Sequence, residues 1–96
     1  MSSDDTLYEH LRYDVRVDGE CTIRYYGPDG YLHREGGPAI IRRDGAYAYC
    51  WRGLLHRLDG PAVRLSDGML LWYLNGRSYS EEDHAQAAAQ YMENTK

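Results

Sequence analysis

The sequence predicts a mainly β fold, an antiparallel meander of hairpin repeats about 23 residues long, capped by one C-terminal α-helix. Three observations predict it. The stretch His33-Arg34-Glu35-Gly36-Gly37-Pro38-Ala39 returns as His56-Arg57-Leu58-Asp59-Gly60-Pro61-Ala62, with Leu32 and Leu55, Ile40 and Val63, and Asp44-Gly45 and Asp67-Gly68 at the same offset of 23. A fixed period of this size is the mark of a repeat architecture. Short alternating segments are punctuated by Gly, Pro, Asp and Asn at regular intervals, as in a meander. That punctuation then stops at Ser80, where an Ala-rich segment begins.

A single domain over residues 1–96 is expected. Residues 1–10 read as a polar lead with room for one helical turn through Leu7 and Leu11. A first hairpin spans 11–26. Leu11, Tyr13, Val15 and Val17 alternate with Arg12, Asp14, Arg16 and Asp18, the period of a half-buried strand. Asp18-Gly19 offers the positive φ values of a tight turn, after which Cys21, Ile23 and Tyr25 resume the alternation.

The repeat body spans 27–79. Gly27-Pro28-Asp29-Gly30 is a turn in which Pro sets φ and Gly takes the left-handed position. Tyr31–Arg34 is a short strand, Glu35-Gly36-Gly37 reverses the chain, and Pro38 opens a strand over Ala39–Arg43. After Asp44-Gly45, a strand over Ala46–Arg52 carries Tyr47, Tyr49 and Trp51 on one face. The second copy places strands over Leu54–Arg57, Ala62–Leu65 and Met69–Leu74. Asn75-Gly76 starts a third copy that never reaches a His-Arg pair.

The capping helix is placed at 80–94, with its body at 81–93. Ser80 with Asp83 three residues on approximates a capping box, and Glu81, Glu82 and Asp83 suit the positive end of the helix dipole. Ala85, Ala88, Ala89 and Met92 fall on one face at helical spacing, which predicts the side that packs.

Composition bounds the functional classes. Residues 1–20 hold six acids and two arginines, residues 21–80 five acids and eight arginines, and residues 81–96 four acids and one lysine, for a net charge of −4. A basic body between acidic ends differs from the strongly basic profile of a DNA-binding domain, and the acidic ends suit a basic groove on a partner. Phe is absent and ten tyrosines carry most of the aromatic area, which suits half-buried sheet faces. No apolar run approaches the ~20 residues of a membrane span, and the first residues lack a signal-peptide pattern, so a cytoplasmic protein is expected. Cys21 and Cys50 are too few for a disulfide framework. Zinc held by these two with His33 and His56 is conceivable by ligand type, but free thiols are the stronger reading. No cofactor is expected, because the glycine clusters match no phosphate-binding motif.

The 23-residue period, the aromatic strand ending in Asn-Gly (Trp72-Tyr73-Leu74-Asn75-Gly76) and the return strand ending in Asp-Gly resemble MORN-type β-hairpin repeats. The string G-x-L-H-R-x-x-G-P-A, over about residues 23–80, is similar to a variant in small phage and large-virus proteins. Ordinary MORN repeats carry a tighter H-G-x-G run where this chain has His33–Ala39 and His56–Ala62. The resemblance implies a non-enzymatic scaffold and a phage-type accessory protein, such as an anti-CRISPR-like inhibitor of a host-defence complex, acting in the host cytoplasm.

His33 and His56 invite a catalytic reading, but a catalytic site needs one asymmetric constellation. Duplication of His33, Arg34, Gly37 and Pro38 as His56, Arg57, Gly60 and Pro61 argues for a duplicated structural job. Each imidazole is expected to bond a turn carbonyl or the carboxylate of Asp44 or Asp67. Arg34 and Arg57 bridge to acids near the turns or join Arg42, Arg43, Arg52 and Arg64 in a ladder. Interleaved with Tyr25, Tyr26, Tyr47 and Tyr49, that ladder could stack single-stranded bases. The exposed aromatic surface exceeds what an Ala-rich helix covers, and Tyr, Trp and Arg are enriched at interfaces. Tyr47, Tyr49, Trp51, Arg52, Arg64, Trp72 and Tyr73 are therefore the expected partner-binding residues, for a homodimer or a host protein complex. A nucleic-acid or nucleotide binder is the alternative, and a MORN-like dimerisation scaffold the second.

Overall fold

The computed structural model describes residues 12–94; the polar lead over 1–10 and the strand start at Leu11 lie outside the described residues. Among the described residues nine strands run β1 (Asp14–Val17), β2 (Ile23–Tyr26), β3 (Ile40–Ile41), β4 (Tyr47–Ala48), β5 (Cys50–Trp51), β6 (Leu54–Leu55), β7 (Val63–Arg64), β8 (Leu70–Leu74) and β9 (Arg77–Tyr79). The helix α1 (Glu81–Asn94) follows. Seven strands form one antiparallel sheet in the order β1-β2-β3-β4-β7-β8-β9, and β5-β6 is a separate hairpin rising from its middle. The sheet of hairpin repeats with one C-terminal helix is the architecture the period predicts. None of the helices among the described residues is long and apolar enough to cross a membrane.

Directly opposed residues share a face, and successive residues alternate. On one face Val17, Ile23, Ile41, Tyr47, Arg64 and Leu70 oppose one another across six strands. One step along, the same register sets Val15, Tyr25, Ala39, Tyr49, Ala62, Trp72 and Tyr79 in a second row, held by bonds such as Tyr25 N to Ala39 O and Tyr49 N to Ala62 O. Helix α1 lies on this side, with His84 beside Trp72. The opposite face carries Arg16, Arg24, Ile40, Ala48, Val63 and Leu71.

Aromatic rings alternating with Ala39 and Ala62, both 0 % exposed, explain why Ala is required there. The ring on each side fills the space above the alanine, so a larger side chain would overpack it.

Four turns share one build. Residues Asp18–Cys21, Gly27–Gly30, Arg42–Gly45 and Leu65–Gly68 each close a first-to-fourth hydrogen bond, and the fourth residue has positive φ. In three of them Asp29, Asp44 and Asp67 accept the amide two residues on. That is the physical content of Asp-Gly here. The first turn departs from it: Gly19 does not take the left-handed position, which falls on Cys21 at φ 65°, and Asp18 accepts the amides of Glu20 and Thr22 instead.

Several strands are shorter than their patterns predict. Tyr31–Arg34 forms only a bridge from Leu32 to Tyr26, because its amides turn toward neighbouring hairpins. The Ala46–Arg52 strand breaks at Tyr49, which bonds Ala62 below while its carbonyl accepts His56 N.

The helix begins as expected, with Asp83 N donating to Ser80 Oγ at 3.2 Å. Its packed side is rotated by one position. His84 and Ala88 are buried and Ala87 and Tyr91 half-buried, whereas Ala85, Ala89 and Met92 are exposed. Rings decide this, since an imidazole that bonds and stacks outweighs methyl groups.

Cys21→Gly removes a side chain from the left-handed region, a gain only partly offset by added unfolded-state freedom. We expect the variant to be about 0.5–1 kcal/mol more stable. Thermal melting checks this; a lowered Tm would contradict it.

Candidate functional site

Each Leu-His-Arg segment is a dock for the next hairpin. Gly53 N donates to Leu32 O at 2.8 Å, Arg52 N to His33 Nδ1 at 2.9 Å, and Arg34 N to Cys50 O at 3.3 Å. In the second copy Gly76 N donates to Leu55 O at 2.8 Å, Asn75 N to His56 Nδ1 at 3.0 Å, and Arg57 N to Tyr73 O at 3.2 Å. The docked turns hold Arg52-Gly53 and Asn75-Gly76 at positive φ, as a two-residue hairpin demands. The imidazoles thus have a duplicated structural job, with a different partner from the one expected. Nδ1 accepts a turn amide, and neither a carbonyl nor Asp44 or Asp67 is involved.

The arginines then cross the sheet. Arg34 Cζ stands 3.9 Å from the ring centre of Tyr25, and Arg57 Cζ 4.0 Å from that of Tyr49. Their Nη1 groups donate to Pro38 O at 3.2 Å and Pro61 O at 3.1 Å. A Cβ on Gly37 would lie 3.1 Å from Arg34 Cζ, and one on Gly60 2.8 Å from Arg57 Cζ. Every fixed letter of the motif now has a cause: His docks a turn, Arg caps a ring, Gly lets the guanidinium pass, Pro supplies a carbonyl, and Ala fits between rings.

The third aromatic, Trp72, is capped from elsewhere. His84 sits 5.3 Å from it, and its Nε2 is 2.6 Å from Arg57 O, which makes Nε2 the protonated donor. Sequence reasoning missed His84. The available signal was a ring-bearing residue within an otherwise Ala-rich helix, at the point where a third Arg is lacking.

The rings form a row: Tyr13 to His33 at 6.4 Å, His33 to Trp51 at 4.4 Å, Trp51 to His56 at 6.4 Å and His56 to Tyr91 at 5.6 Å. Beside it, a groove of about 680 Å³ opens between the two corner loops. Tyr49 and Trp51 floor it, Arg34 and Glu35 form one rim, Arg57 and Asp59 the other, and Tyr91 and Met92 of α1 close one end. Trp51 is 37 % and Met92 54 % exposed.

The expected partner-binding residues do not share one surface. Trp51 and Tyr49 meet in the groove. Tyr47 and Arg64 lie on the same sheet side but one row away, Trp72 lies under His84, Tyr73 points to the opposite face, and Arg52 sits in the docked turn. Of the arginines expected in a ladder, Arg42 pairs with Asp44 and Arg57 with Asp59, Arg34 and Arg57 lie over Tyr25 and Tyr49, and Arg52 sits in the docked turn.

Cys21 is exposed in a turn and Cys50 is buried, its thiol pushed up to about 11 by burial. Among the described residues no three His, Cys, Asp or Glu side chains are grouped to hold a metal ion. Comparison with known proteins gave no match to family models, curated proteins or solved structures.

Two predictions follow the corner geometry. Gly60→Ala displaces Arg57 from Tyr49 and should cost about 1–2 kcal/mol, while Gly19→Ala, with nothing within 4 Å of the added carbon, should be near neutral. Equal melting temperatures for the two would contradict it. The second concerns pH. Burial, then the nearby His84, holds His56 below its ordinary 6.5. The unfolded chain therefore binds the proton more readily, so this contribution is complete above pH 6.5 and lost as pH falls below it. Melting from pH 8 down to 5 should show the decline, and His56→Asn, which keeps an acceptor for Asn75 N, should flatten it.

Proposed function

We propose that this chain is a non-enzymatic protein-binding module whose groove between the two corner loops receives an apolar side chain from a partner protein. The groove's composition carries the reading: Trp51, Tyr49, Tyr91, Met92 and two arginines surround one concavity, and aromatic residues, Met and Arg are the types enriched at protein interfaces. Both corner imidazoles use Nδ1 to hold backbone, so neither offers that nitrogen as a base. Five arginines are neutralised by neighbouring acids, which supports a protein over a polyanion.

The resemblance to small phage proteins suggests the setting. On that reading the partner is a host-defence protein complex, blocked by direct binding in the manner of an anti-CRISPR protein.

Affinity capture from bacterial lysate, first at ~150 mM and then at 500 mM salt, tests this, because phosphate contacts weaken steeply with salt. We expect a defined protein partner retained at both salts and lost with Trp51→Ala and with Met92→Arg. Met92→Arg adds a cation near the helix C-terminus and should leave folding intact. Retention of nucleic acid alone, or of the same partner by both variants, would overturn the proposal.

A further inference from the structure

We infer that the sheet face opposite α1 is a homodimer interface, on which a second copy of this chain stacks to form a two-layer sandwich. Ile40, Ala48, Val63 and Leu71 run across β3, β4, β7 and β8 on this face, and the pairing of Leu65 N with Met69 O carries Leu65 and Met69 to the same side. Tyr73 extends the patch along β8. The four central residues are only half-buried, while Leu65 is 39 % and Met69 56 % exposed. An antiparallel sheet with one packed face ordinarily turns polar residues to water on the other. Here the four central strands present aliphatic side chains there instead. Domains are built from two packed layers, and on this side the second layer is missing from the chain's described residues.

Three features select a second copy as the occupant. The first is area. The paired segments run about four residues, as in 39–42 against 46–49, so seven strands ~4.8 Å apart and ~13 Å long give a face on the order of 400 Å². Two such faces supply roughly 800 Å², the size of a small, reversible interface. The second is charge. The basic side chains bordering the patch, Arg16, Arg24 and Arg42, are each paired with an acid of their own chain, Asp14, Asp18 and Asp44. Like surfaces therefore meet without net repulsion, as a two-fold interface demands. The third is the sheet edge. Along β1 the charged Asp14 and Arg16 alternate with valines, the pattern that blunts edge-to-edge pairing. Pairing along this edge is thereby disfavoured relative to stacking.

The groove described above opens on the α1 side, so the sandwich leaves it free and presents two grooves facing outward. A partner with two equivalent epitopes would be held with the avidity of a bivalent ligand. The dimer does not depend on the groove reading, and each stands or falls alone.

Sedimentation equilibrium of the full chain at micromolar concentration tests the inference. We expect a species of about 22 kDa, twice the 11.1 kDa chain. The double variant Leu65→Lys with Met69→Lys should sediment as a monomer, and Leu70→Lys, on the α1 side, should remain a dimer. The Tm of the unaltered chain should also rise with protein concentration, as binding linkage requires, a readout independent of whether any variant folds. An 11.1 kDa species, a concentration-independent Tm, or a dimer broken by Leu70→Lys but not by the double variant would overturn the proposal.

Discussion

Everything else in this molecule depends on the docking of a hairpin turn onto a Leu-His-Arg segment. A two-residue turn at positive φ aims its amides away from its own strands, and an amide left unpaired away from water is costly. In this chain those amides find the Leu carbonyl and the imidazole Nδ1 of the preceding copy, at 2.8–3.0 Å. Once that bond is made the imidazole ring is fixed in orientation, and the following Arg is directed over the sheet. The Gly, Pro and Ala of the motif then answer to the guanidinium and to the ring beneath it. The order of causes runs from turn to imidazole to arginine to sheet.

This arrangement explains how a thin chain holds together. No large side chain is fully buried among the described residues. The centre of the sheet instead alternates tyrosine with alanine, and guanidinium groups lie over the tyrosines where another protein would place a second layer of aliphatic residues. A cation over a desolvated ring contributes about 1–2 kcal/mol, comparable to a methyl-rich contact of the same area, and it keeps polar atoms near water. The device works only while the next copy supplies an arginine and a carbonyl to the ring before it. At the end of the array the helix substitutes for that copy, with His84 over Trp72 and bonded to Arg57 O.

What was legible in the sequence follows the same hierarchy. Local backbone demands leave a local trace, so the turns at Gly27-Pro28-Asp29-Gly30, Asp44-Gly45 and Asp67-Gly68, the Asn75-Gly76 turn and the Ser80 cap were legible in short stretches, whereas Asp18-Gly19 marked a turn but not its left-handed residue. The period exposed the repeat because each copy solves the same docking problem. Side-chain direction was less legible wherever a long-range bond overrides a local pattern. Alternation through Ala46–Arg52 implies one face for Tyr47, Tyr49 and Trp51, yet the strand breaks at Tyr49 because that residue serves two neighbours at once. Helical spacing favoured the alanine stripe, yet His84 and Tyr91 turn inward because their rings meet Trp72 and His56. Cys21 occupies a glycine's place, and nothing in an Asp-Gly dipeptide three residues earlier reveals it.

Duplication argued against a functional site at the corners, because a unique activity needs a unique constellation. The geometry refines that argument. Each corner alone is a structural joint, but two corners enclose one interval, and the groove lies in it. Its rims are the same loop twice, Arg34-Glu35 and Arg57-Leu58-Asp59, while its floor and end wall come from Trp51 and from the helix, which occur once. A third corner would have created a second interval and a second, nearly identical groove. Ending the array in Ser78-Tyr79-Ser80 and a helix means that the described residues hold one interval enclosed by two corners.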